Sequence, residues 1–167
     1  MDNAPILTPG HGPAAPGLSS HELDAVRARR ASLRQAVLAV KEVLRTPPDG
    51  AAAVPAGALL GAVTDLADVW ATHSAETESA DGVLAQVLND SPRLAPAIDR
   101  LRREHGQVAE ALATAGRALV ALAPGVQLDP VTGVPDLVRA LDTVDRHRRD
   151  GRNLLHDAYH VDLGLGE

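Results

Sequence analysis

Three of the chain's seven histidines stand where the surrounding pattern asks for a core residue: His73, His105 and His147. A neutral imidazole carries one donor and one acceptor nitrogen, and once buried it needs partners for both. A single such residue is ordinarily a hydrogen-bonded core histidine. Three would repeat the desolvation cost three times unless they serve one another or a shared ion. Two chemistries are therefore open: a metal or ligand site, or a hydrogen-bonded polar layer that fixes helix register. Acids lie close by. Glu76 follows His73 by three residues, which on a helix leans it to the same side. Glu78 points further round, Glu104 flanks His105, and Asp150 follows His147 by three. Imidazole with carboxylate suits iron, manganese or zinc. The ligand set read from this pattern is His73, Glu76, His105 and His147.

Arg30 fills the corresponding gap in a fourth apolar stripe. A guanidinium stays charged and cannot ligate a cation. Turned inward, it would pair with Glu76 and favour a mononuclear or metal-free site over a dinuclear one. Turned outward, its head would reach solvent along its own stem. His156 and His160 are spaced four apart but have no third partner, so they read as a surface pair. Arg146, Arg148, Arg149 and Arg152 read as a solvated basic face, with an anion or partner site as the alternative. No Ser-His-Asp order, phosphate loop or nucleotide fingerprint is present, and whether the chain is an enzyme stays open.

The elements that must position these residues follow from apolar periodicity. Leu23, Val26, Leu33, Val37, Val40 and Leu44 alternate steps of three and four, one face of a helix. That helix starts at Ser19 or Ser20, which can cap it, and stops near Arg45, before Pro47-Pro48. A second helix starts near Pro55 and carries Leu59, Val63, Leu66 and Trp70. It weakens or ends at Asp81-Gly82, with further turns up to Asn89-Asp90. A third begins at Ser91-Pro92 or about four residues later and carries Ile98, Leu101, Val108 and Leu112. A fourth begins near Pro135 and carries Leu137, Leu141, Val144, Leu154 and Leu155. At about 1.5 Å per residue, the four polar gaps fall at one height to within roughly one or two turns. The expected architecture is all-α, an antiparallel up-down-up-down four-helix bundle over residues 19–160 with no convincing strand. A three-helix core with a looser first helix is the other arrangement. Residues 1–18, rich in Pro, Gly and Ala, read as a disordered arm, and 161–167 as a tail.

Composition agrees with helices. There is no Phe, one Trp and one Tyr, so the core is built from Leu, Val and Ala, which suit close helix packing better than a sheet. The absence of Cys excludes disulfides and thiolate metal sites. A net charge of −6 argues against broad nucleic-acid binding. Neither a signal peptide nor a membrane span is read, and the expected location is the cytoplasm.

From Leu23 to Tyr159 the chain resembles the hemerythrin-like (HHE cation-binding) domain family. The resemblance rests on His73-Ser-Ala-Glu76-Thr-Glu78, on Ser91-Pro-Arg-Leu-Ala-Pro-Ala-Ile-Asp-Arg-Leu-Arg-Arg-Glu104-His105, on Arg146-His147-Arg, and on Asp157-Ala-Tyr159 followed by Asp162-Leu-Gly. It looks most like a small actinobacterial branch. The resemblance implies a four-helix bundle with a non-haem iron site, mononuclear or dinuclear, handling dioxygen, nitric oxide or peroxide. His73, His105 and His147 match the family's ligand positions. The remaining positions hold Arg30, Thr77, Ala109 and Gly151, so the implied ligand set is incomplete. The alternative is a metal-free bundle acting as an interaction or small-ligand-binding module.

Overall fold

The computed structural model describes residues 18–45, 53–122, 125–129 and 134–160. Among these the chain is helical, with one short two-stranded pairing. Helix α1 spans Ser20–Arg45, α2 spans Ala56–Glu78, α3 spans Val83–Asp90, α4 spans Ala95–Val120 and α5 spans Pro135–Tyr159. Helix α1 opens on the expected cap: the Ser19 hydroxyl accepts from the Glu22 backbone N–H, and the Ser19 N–H donates to the Glu22 carboxylate at 2.7 Å. Helix α2 ends at Glu78, and α3 is a separate helix. Between them Gly82 lies so close to the chain that a Cβ there would stand 2.5 Å from the Thr77 carbonyl oxygen and 2.7 Å from that of Glu76. The start of the third long helix is settled: Pro92–Leu94 form a single 3-10 turn, and α4 follows from Ala95.

One expectation needs correcting. Val54–Pro55 (β1) pairs antiparallel with Gln127–Leu128 (β2), although the sequence reading gave no strand. Two residues per strand are too few to show an alternating pattern. Leu18, the last residue of the arm, is half-buried and packs against a core cluster. Residues 1–17 and 161–167, the rest of the arm and the tail, lie outside the described residues.

Helix α1 packs on α2, α2 on α4 and α4 on α5. Between α5 and α1 run a Lys41–Asp145 ion pair and a hydrogen bond from Arg30 to the Arg148 carbonyl. The buried apolar side chains fall into two clusters. One is built from Leu33, Val37 and Val40 of α1, Leu59 to Trp70 of α2, Val108 to Leu119 of α4 and Leu137 to Val144 of α5. The other joins Val26, Val83, Leu84, Val87, Ile98, Leu101, Leu154 and Leu155. In α1, α4 and α5 the junction between the clusters is the polar gap, at Arg30, His105 and His147, and in α2 the gap at His73 lies just beyond the first cluster's Trp70. No described helix is long and apolar enough to cross a membrane.

Candidate metal centre

His73, His105 and His147 meet at this junction, with one ring nitrogen of each within 4.8 Å of the others. The Nε2 atom of His147 lies 3.2 Å from Nε2 of His73 and 3.2 Å from Nε2 of His105. Trp70, 1% exposed, closes the site on the side of the first cluster. Its ring centroid is 5.1–5.5 Å from the three imidazoles. Its indole N–H donates to the His105 carbonyl at 3.0 Å, which ties α2 to α4 at the level of the site. Sequence reading treated Trp70 only as a core residue. Its position three before His73 was the available signal, since i and i+3 share a helix face.

Two carboxylates orient the imidazoles from behind. His147 Nδ1–H donates to Glu104 Oε2 at 3.1 Å, and His105 Nδ1–H donates to the Glu78 carboxylate. A carboxylate only accepts, so in each pair the proton sits on Nδ1. With Nδ1 so engaged, Nε2 of His105 and Nε2 of His147 face each other, 3.2 Å apart. Glu104 is 5% exposed, like the imidazole it holds, and Arg146 approaches its other oxygen at 3.5 Å. His73 Nδ1 is buried with no hydrogen-bond partner among the described residues. Thr77 is buried one turn beyond His73 and returns its hydroxyl proton to the His73 carbonyl at 2.8 Å.

Electrostatics keep two of the imidazoles, His73 and His147, neutral. Burial, reinforced by His105 and by Arg29 and Arg30, pushes His73 down to about 4. Burial, then His105, His73 and Arg30, pushes His147 down to about 3. Neutral imidazole is the form that ligates a metal.

The other residues singled out by sequence lie elsewhere. Glu76 does not join the group. It is 47% exposed and pairs with Arg29 of α1 at 3.5 Å. Three residues of helix rotate it past the bundle axis, toward α1, so the favoured carboxylate ligand faces the surface. The Arg30–Glu76 pairing expected for an inward Arg30 is absent, because Arg29 takes that acid. Asp150 pairs with Arg100 at 3.4 Å. Arg30 is half-buried, and its Nη2 donates to the Arg148 carbonyl at 3.3 Å. Burial, with Arg152 and Arg148 nearby, lowers its pKa. Arg148 is not on a simple solvated face, because its Nε is buried without a partner among the described residues. His156 and His160 stay a pair at the end of α5, with ring centroids 6.1 Å apart.

Beside the imidazoles, on the side of the second cluster, is a cavity of about 60 Å³. His73, His105, His147, Arg30, Arg148 and Gly151 contribute to its polar side, and Val26, Leu84, Leu101 and Leu154 to its apolar walls. Comparison with protein-family models, with curated proteins and with solved structures finds no match.

Proposed function

We propose that the chain is a hemerythrin-like, up-down-up-down bundle that holds one divalent transition metal ion between His73, His105 and His147. The observation that carries the reading is the convergence of one ring nitrogen from each of the three histidines, all within 4.8 Å of one another. Glu78 and Glu104 fix the protons of His105 and His147 on the far nitrogens. Nε2 of His147 lies 3.2 Å from Nε2 of both His73 and His105, close enough for the rings to share one cation. The spacing suits one: nitrogen ligands about 2.0–2.1 Å from a tetrahedral ion stand roughly 3.3 Å from one another. A carboxylate behind each of two ligating imidazoles is the usual support of such a site.

One ion is favoured over two. The further positions that a dinuclear centre would use hold Arg30, Thr77, Ala109 and Gly151. A guanidinium repels a cation, the Thr77 hydroxyl is engaged with its own helix, and Ala and Gly carry no donor. Nitrogen donors suit iron, zinc, copper or nickel. Iron, with dioxygen, nitric oxide or peroxide as the exogenous ligand, is what the family resemblance adds. Three protein ligands leave open positions, which the cavity can serve. The up-down alternation is supported by the clusters. The first joins the later half of α1, the earlier half of α2, the later half of α4 and the earlier half of α5.

A metal-free layer is the second reading. Arg30 favours it, because its charge in the cavity wall opposes a cation. Metal analysis separates the two. Purified chain loaded with iron(II) or cobalt(II) without oxygen is expected to hold one ion per chain, and His147→Ala to hold none while keeping its helical circular dichroism. Wild-type protein that takes up no stoichiometric metal would overturn the metal reading.

A further inference from the structure

The cavity beside the imidazoles has an unusual charge balance. Three arginines, Arg29, Arg30 and Arg148, line it, and no acid does among the described residues. Glu78 and Glu104 stand behind the imidazoles and are not part of its lining. The three arginines are not equally engaged. Arg29 has Glu76, and Arg148 has Asp145 at 3.2 Å. Arg30 meets no carboxylate among the described residues. Its hydrogen bond is to a neutral carbonyl, with Arg148 and Arg152 close enough to repel it. The buried Arg148 Nε is an N–H with no acceptor among the described residues. A half-buried positive charge with no carboxylate beside it is costly unless an anion completes it.

A neutral diatomic gas needs no such charge, whereas an anion does. The volume sets its size. One water takes about 10–15 Å³ measured this way, so 60 Å³ accommodates roughly four to six heavy atoms. The shape of the donor sets its class, because a guanidinium is a planar fork that matches two oxygens at once. Gly151 keeps the wall of α5 open: a Cβ there would meet nothing within 4 Å.

We infer that the cavity binds a small planar oxyanion of single negative charge, such as formate, nitrite or bicarbonate, between the Arg30 guanidinium and the metal. This rests on the metal reading above. Arg30 thereby stands on the ligand side of the site and offsets the charge of what binds.

The test uses cobalt(II)-loaded full-length chain and formate as the probe, followed by the visible spectrum of the cobalt and by titration calorimetry. Formate is expected to perturb the wild-type spectrum. Arg30→Leu is expected to take up cobalt as before and to weaken formate at least tenfold. Arg30→Lys, which keeps the charge and loses the fork, should fall between them. It carries the comparison if Arg30→Leu fails to fold. Formate binding of equal strength in wild type and variants, or none in cobalt-loaded wild type, would overturn the anion site and leave the metal reading standing. Wild-type chain that takes up no cobalt would overturn both.

Discussion

Among single residues, the carboxylates separate structure from spacing. The three histidines were legible because each breaks an apolar stripe, and a stripe is a property of one helix. Their acids were not. Glu104 sits one residue before His105 on α4, yet it serves His147 on α5. Glu78 lies at the end of α2 and serves His105 on α4. Sequence gives the angle of a side chain around its own helix, not which neighbouring helix it meets. The choice of Glu76 shows the same blind spot, because the i+3 rule finds a neighbour of His73 and Arg29 of α1 claims it. The distinction can be measured. Glu104→Ala leaves the His147 Nδ1–H without its acceptor and is expected to weaken cobalt binding by about 10–100-fold. Glu76→Ala is expected to leave it unchanged. Competition titrations with a chelating dye read both, and equal losses would contradict the assigned roles.

At the scale of elements, two glycines make opposite demands. Gly82 joins α2 to α3, where its hydrogen lies against the Thr77 and Glu76 carbonyls. Backbone cannot retreat as a flexible side chain can, so Gly82→Ala is expected to destabilise by about 1–3 kcal/mol. Gly151 lies inside α5 with space around it. There Gly151→Ala is expected to stabilise by roughly 0.5–1 kcal/mol, since Ala loses less backbone entropy in a helix. Urea unfolding followed by circular dichroism compares them, and a destabilised Gly151→Ala would mean that the α5 wall is less open than described. Most element boundaries were readable from Pro and Gly punctuation, as at Arg45, Gly82 and Pro135. The β1–β2 pair was not. It is four residues long in all and joins the approach to α2 with the segment after α4, a contact set by how the helices are stacked.

For the whole molecule, the polar junction divides the apolar interior into two clusters and makes global stability depend on protons. His73 and His147 fall to about 4 and about 3 in the fold, against 6.5 for an ordinary histidine. Above pH 6.5 both are neutral whether folded or unfolded, and stability does not vary on their account. Between 6.5 and about 4 the unfolded chain binds protons that the folded chain refuses. Stability of the metal-free protein therefore falls as pH falls, by up to roughly 1.4 kcal/mol per pH unit for each imidazole. Denaturant midpoints at pH 7, 6 and 5 check this, and a flat profile would mean that the imidazoles are open to solvent. One further consequence comes from Trp70. It is the only tryptophan of the chain, and it is packed against all three imidazoles. All of the protein's indole fluorescence thus originates within a few ångströms of the site. A paramagnetic ion arriving there should darken the entire emission, so the chain carries its own optical gauge of occupancy without any label.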